Sequence, residues 1–86
     1  MHIYTSKHGM ERARARVGLK TRAAVARWLA GRLKEALRAG IRPDKGLRIT
    51  LRVGPDIDAI LAPHKDGWIL ITVIDRVGEG VAGREA

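Results

Sequence analysis

Two apolar periodicities divide this chain into a helical first half and a strand-forming second half. Residues 7–17 repeat apolar side chains three and four positions apart, at Met10, Ala13 and Val17, which is the spacing of one face of an α-helix. Residues 21–39 repeat that spacing over a longer stripe, made of Val25, Trp28, Leu29, Leu33, Ala36 and Leu37. Ser6 is a predicted N-cap, and Gly18 and Gly40 are predicted to end the two helices.

From residue 47 onward the apolar period shortens to two residues, which is the period of a half-buried β-strand. Three strands are predicted, at residues 47–53, 57–62 and 68–74. Residues 54–56 form a tight turn between the first two strands, and residues 63–67 connect the second strand to the third. The third strand is apolar almost throughout, so it needs cover on both faces or a central place in the sheet. Residues 2–5 are either a short edge strand or an extended lead-in.

The order of helix, helix, strand, strand, strand predicts an α+β fold. We expect two N-terminal helices that pack on one face of a small antiparallel sheet of three to four strands. Residues 1–76 form this single domain. Residues 77–86 contain three glycines and are predicted to be a flexible, Gly-rich C-terminal tail.

The length of 86 residues confines any site to a small cluster on a thin scaffold, and it excludes a cofactor-binding enzyme of ordinary size. The absence of cysteine excludes disulfides, thiolate metal sites and a cysteine nucleophile. Ser6 is the only serine, so serine-nucleophile chemistry has no place. No apolar run is long enough to span a bilayer, and we therefore expect a soluble, cytoplasmic protein without a membrane partner. The chain has neither Asn nor Gln, which favours a thermophilic source.

Charge is distributed unevenly along the chain, whose formal net charge is +8. Residues 1–48 carry thirteen basic and three acidic residues, a net charge of +10. The remaining residues carry four basic and six acidic ones, a net charge of −2. A positive field confined to the first half predicts a polyanionic partner, which is either a nucleic acid or an acidic protein.

The first predicted helix carries the chain's most specific constellation, formed by His8, Arg12 and Arg16. Because these residues are four positions apart, they spread over only about 80° of the helix surface, away from the apolar stripe. Two guanidinium groups on one ridge can hold a phosphate, and an imidazole beside them can exchange a proton near neutral pH. The alternative is that both arginines are solvated surface charges and that His8 only packs near the first turn.

The segment from Ser6 to Leu19 resembles the opening H-A-x-x-R-x-x-x-R-x-G motif of small bacterial and phage proteins of unknown function. As in them, a long helix follows, then a Gly-Ile step at Gly40 and a late apolar strand that contains the sequence L-I-T-V. Those proteins are similar in layout to the BrnT and RelE toxins and to the nuclease domain of colicin D. Gly9 stands where the motif usually has alanine; this weakens the helix start by up to about 1 kcal/mol and touches no chemical group.

The resemblance implies a metal-independent ribonuclease, encoded by a phage or mobile element, in which the RNA 2′-hydroxyl attacks its own phosphate. His8 is then the base or acid, Arg12 and Arg16 form the phosphate clamp, and Thr72 matches the family's threonine. The alternative for Thr72 is a β-branched residue chosen for strand packing. The remaining candidates for nucleic-acid binding are Lys7, Arg48 and Arg52.

Other chemistry finds less support in the residues. Asp56, Asp58 and His64 lack the spacing of a metal site, and no phosphate-binding glycine loop opens a helix, so we predict neither a metal nor a cofactor. His64 is interpreted as a surface histidine, and the alternative is that it is the second acid of the ribonuclease. The rival to a ribonuclease is a non-enzymatic module that binds RNA, DNA or an acidic, antitoxin-like protein with the same basic face. The apolar third strand and the small core also make a homodimer plausible.

Overall fold

The computed structural model describes residues 2–75, which form two helices and four strands. The elements are β1 (Ile3–Thr5), α1 (Lys7–Arg16), α2 (Arg22–Arg38), β2 (Ile49–Arg52), β3 (Ile57–His64) and β4 (Gly67–Asp75). The predicted C-terminal tail, residues 77–86, lies outside the described range. Neither described helix is both long and apolar enough to cross a lipid bilayer.

The four strands form one sheet in the order β1-β4-β3-β2, and both helices pack on one face of it, so the predicted α+β fold is confirmed. β3 pairs antiparallel with both of its neighbours. The expectation of a purely antiparallel sheet is wrong, because β1 runs parallel to β4, with Ile3 opposite Trp68 and Thr5 opposite Leu70. Both helices and two strands separate β1 from β4 in the chain, so no tight hairpin forces these two strands to be antiparallel.

Both predicted helices form, each with a side-chain cap. The hydroxyl of Ser6 accepts the backbone N–H of Gly9 at 2.8 Å, and that of Thr21 accepts the N–H of Ala24 at 3.1 Å. At the C-terminal ends Gly18 and Gly40 adopt φ angles of +83° and +92°. Only glycine occupies this left-handed region without strain, so the predicted helix ends are confirmed to within a residue or two.

The two apolar stripes and the inner face of the sheet form one core. Met10 and Ala13 of α1 are buried, as are Val25, Leu29 and Leu33 of α2. From the strands and the residue after β2, the core receives Ile3, Ile49, Leu51, Val53, Ala59, Leu61, Leu70 and Val73. This aliphatic core is the source of the fold's stability, because each fully buried side chain contributes about 1.5–3 kcal/mol.

α1 approaches β4 so closely that the two elements meet at backbone level. A Cβ atom placed on Gly9 would lie 2.5 Å from the carbonyl oxygen of Leu70. The Ser6 hydroxyl donates to the same oxygen at 2.9 Å, and the Ser6 N–H donates to it at 3.2 Å. The expectation that Gly9 merely weakens the helix start is therefore incomplete, because position 9 has no room for a side chain.

Two strand boundaries differ from the sequence prediction. The alternating pattern predicts that Leu47 points inward from the first long strand, but this residue is 65% exposed and adopts a φ of 60° in the turn before β2. Asp44 holds that turn, since its carboxylate accepts the N–H groups of Gly46 and Arg48. The hairpin connection is also shorter than residues 63–67, because β3 continues to His64 and the turn contains only Lys65 and Asp66.

Candidate nucleic-acid interface

The ridge predicted on α1 brings His8 and Arg12 together at the surface. Both side chains are exposed, and the Nε–H of Arg12 donates to Nε2 of His8 over 3.5 Å, at the outer limit of a hydrogen bond. In this contact the accepting His8 nitrogen carries no proton. Lys7, one residue before His8, is also exposed in the first turn of the helix.

Arg16 continues the ridge about one turn further towards the C-terminal end of α1, and its side chain is half-buried. Its Nε is buried and finds no hydrogen-bond partner within residues 2–75. A buried N–H without a partner costs about 1–3 kcal/mol. Because this Nε is buried, an anion at the surface does not reach it unless the Arg16 side chain moves.

Thr72 lies on the opposite face of the sheet from α1. It pairs with Ile60, which stands between Ala59 and Leu61, two residues with no exposed surface in the core. Because side chains alternate along a strand, Ile60 and its partner Thr72 point away from the helices. The structure therefore does not bring Thr72 together with His8.

Arg48 and Arg52, the other predicted phosphate contacts, lie at the edge of the sheet that α1 does not cover. Arg48 is exposed in the turn before β2. Arg52 ends β2, and its Nε is 3.5 Å from a carboxylate oxygen of Asp58 in the neighbouring strand. Arg52 also lines a groove beside α2. In that groove it lies near cations of α2 and not near those of α1.

A cluster at the hairpin end of the sheet contains residues that the sequence pattern does not single out, apart from His64. The Tyr4 ring meets the ring of His64 edge-on at 5.0 Å and that of His2 at 4.2 Å. The Tyr4 hydroxyl donates to Asp66 at 2.7 Å. This hydrogen bond lowers the pKa of Asp66 and raises the pKa of Tyr4 from their ordinary values. No local sequence signal joins Tyr4 to Asp66, because their contact depends on the parallel pairing of β1 with β4.

Tyr4→Phe is predicted to raise the pKa of Asp66 towards its ordinary value, because phenylalanine keeps the ring but removes the hydroxyl that stabilises the carboxylate. The folded-state pKa of Asp66 lies below its unfolded value, so the interaction stabilises the fold at higher pH and is lost as the pH falls through the folded-state pKa. Carboxyl-carbon NMR titration of both proteins measures the shift, and an unchanged Asp66 midpoint would contradict the assignment.

Residues 2–75 contain no group of three or more His, Asp or Glu side chains placed to hold a metal ion. Comparison of the chain with protein-family models, with curated proteins and with solved structures finds no match.

Proposed function

We propose that this protein binds RNA in the cytoplasm through the surface of α1, α2 and their connecting loops, which we call the helical layer (residues 7–42). The observation that carries the proposal is the separation of charge between the two layers of the fold. The helical layer contains eleven basic and two acidic residues, a net charge of +9. Residues 43–75, which contain β2, β3 and β4, have four basic and five acidic residues, a net charge of −1. A field of one sign on one face attracts a polyanion to that face.

The cations of the helical layer are available to a ligand. Ten of the eleven are exposed, and Arg16 is half-buried. None of them forms a salt bridge with a carboxylate of the described residues, since the ion pair found there joins Arg52 to Asp58. Several arginines bind backbone carbonyls of their own layer, among them Arg14 and Arg42, which leaves further N–H groups free in each guanidinium.

Arginine accounts for eight of the eleven cations, and this composition favours the phosphates of a nucleic acid as the ligand. A guanidinium offers two parallel N–H groups to one phosphate, whereas a lysine offers a point charge.

The test is the binding of a fluorescently labelled, single-stranded RNA of mixed sequence, measured by anisotropy at several salt concentrations. We expect the logarithm of the affinity to fall linearly with the logarithm of the salt concentration, because phosphate contacts release counterions. Arg12→Ala with Arg16→Ala is expected to reduce that slope by about 0.7 for each phosphate that is no longer bound. Lys65→Gly is the control, since it removes one charge outside the helical layer at a φ of 49°, which glycine tolerates.

Binding that does not depend on salt, or a double variant with unchanged affinity, would overturn the proposal. Failure to bind RNA together with tight, salt-dependent binding of an acidic protein would favour the antitoxin-like partner instead.

RNA cleavage is the second candidate function, and the contact between His8 and Arg12 favours it. Nε2 of His8, released when the Arg12 guanidinium turns to the phosphate, would take the proton of the 2′-hydroxyl as that oxygen attacks the phosphorus. The P–O5′ bond then breaks, and water protonates the leaving 5′-oxygen. Arg12 would stabilise the charge that develops on the phosphate oxygens.

The cleavage prediction is tested on an RNA pool in EDTA. Wild-type protein is expected to leave 2′,3′-cyclic phosphate ends, and His8→Ala is expected to abolish cleavage while RNA affinity stays within about twofold, because a neutral imidazole contributes no charge to phosphate binding. Cleavage that persists in His8→Ala would exclude His8 as the base. An uncleaved pool that is bound equally well by both proteins would leave RNA binding as the function.

A further inference from the structure

Besides the ridge on α1, the basic surface contains a groove between α2 and the edge strand β2. It has two adjoining lobes that share Arg32, Glu35 and Arg52. The larger lobe has a volume of about 530 Å³ and is also lined by Arg27, Trp28 and Gly31 of α2. Sites for small ligands occupy about 300–1,000 Å³, so this lobe is large enough for one nucleotide unit.

The aromatic wall of the groove is held in a defined geometry. The guanidinium carbon of Arg32 lies 5.3 Å from the centroid of the Trp28 ring, and an Arg32 N–H donates to the backbone oxygen of Trp28 at 3.3 Å. Trp28 is half-buried and also contacts the core. Indole rings and guanidinium planes are the two kinds of surface on which unpaired bases stack.

The charges along the groove suit a nucleotide better than a free anion. Arg27, Arg32 and Arg52 outnumber Glu35, which forms no salt bridge within residues 2–75. The arginines attract a phosphate, whereas a carboxylate repels it. Glu35 instead accepts hydrogen bonds from an exocyclic amino group of a base, so the base would lie beside Glu35 and the phosphate beside Arg27 or Arg52.

The smaller lobe extends the groove along apolar surface. It is lined by Ala36, Leu51 and Ile41, and Ile41 is 46% exposed although it is a large aliphatic residue. Thr50 of the edge strand also lines this lobe. A base held against Trp28 and Arg32 can extend onto this apolar surface.

We propose that this groove binds an unpaired nucleotide of single-stranded RNA, with its base against Trp28 and Arg32. The inference rests on the proposed function and names the form of RNA that the helical layer takes. Bases of an A-form duplex are stacked inside the helix and are not available to a protein groove. The groove therefore selects single-stranded over double-stranded RNA, while the remaining cations contact phosphates of either form.

Gly31→Leu tests the groove without disturbing the fold. A Cβ atom at Gly31 meets nothing within 4 Å, and leucine is a better helix former than glycine. The leucine side chain projects into the larger lobe and obstructs it, so we expect single-stranded RNA to bind about 5- to 150-fold more weakly, the range typical of removing one stacked base. Affinity for a hairpin duplex is expected to stay unchanged. Gly31→Ala is the matched control and is expected to bind both forms like the wild type.

Fluorescence of Trp28 gives a second readout. Trp68→Phe leaves Trp28 as the only tryptophan of the chain, and single-stranded oligo(A) is expected to quench its emission because the base stacks on the ring. Adding Gly31→Leu is expected to abolish the quenching. If oligo(A) binds to the Trp68→Phe protein without quenching, or if Gly31→Leu retains wild-type affinity for single strands, the groove proposal is wrong while RNA binding by the helical layer stands. If no RNA binds at any salt concentration, the proposed function fails with it.

Discussion

Replacing Gly9 with alanine is expected to lower the free energy of unfolding by about 1–3 kcal/mol, the usual cost of an overpacked site. Helix propensity alone predicts the opposite sign, because alanine favours an α-helix over glycine by about 1 kcal/mol. Packing prevails because the new methyl group would stand 2.5 Å from the carbonyl oxygen of Leu70. That oxygen belongs to the backbone of an inner strand and cannot move without breaking its bonds to Ser6.

Urea denaturation of the wild type and of Gly9→Ala measures the difference. Gly31→Ala is the matched control in the other helix: position 31 is open, so the same substitution is expected to stabilise the protein by up to about 1 kcal/mol. Equal stabilisation by both substitutions would show that α1 does not approach β4 as closely as the structure has it.

Neutralising four cations of the helical layer is expected to reduce the affinity for single-stranded RNA by about 10²- to 10³-fold near 0.1 M salt. This range follows from one phosphate contact per cation, each with a slope of about 0.7 in log affinity against log salt. The substitutions Arg12→Gln, Arg27→Gln, Lys34→Gln and Arg38→Gln lower the net charge of the layer from +9 to +5. None of these four side chains forms a salt bridge in the described range, so the fold should persist.

Anisotropy titrations measure the affinity, and thermal unfolding checks the fold. Because the substitutions reduce repulsion among like charges, we expect the variant to be at least as stable as the wild type. A folded variant that binds RNA within a factor of about three of the wild type would contradict phosphate binding by the helical layer, since removing each cation from its phosphate should cost about fivefold near 0.1 M salt.

Local patterns predicted the elements of this fold well, and contacts distant in sequence account for the differences. The stripe from Val25 to Leu37 and the glycines that end the helices depend on neighbours within a few residues. The parallel pairing of β1 with β4 joins residues more than sixty positions apart, and no periodicity encodes it. Leu47 continues an alternating pattern, but the Asp44 turn places it outside the strand.

In the candidate site, too, local sequence patterns predict some contacts, whereas others depend on residues that are distant in sequence. The neighbourhood of His8 and Arg12 follows from a helical spacing of four, and the structure has the two side chains in contact. Thr72 is different, because regular alternation would put it on the same face as Leu70, towards α1. A bulge in β4, where Ile71 has no partner on β3, reverses the faces beyond it and turns Thr72 away. The groove between α2 and β2 has no sequence signal either, since it forms only where two elements meet.

Mapping the RNA contacts by NMR is the direct test of RNA binding by the helical layer. Titration of ¹⁵N-labelled protein with a single-stranded RNA of mixed sequence reports on each backbone amide. We predict that the largest shift changes fall on α1 and α2, including the amides of His8, Arg12 and Gly31, and that the hairpin turn at Lys65 and Asp66 stays unchanged. Shift changes concentrated on that turn and on the sheet face of Ile60 and Thr72, with none on the helices, would contradict RNA binding by the helical layer.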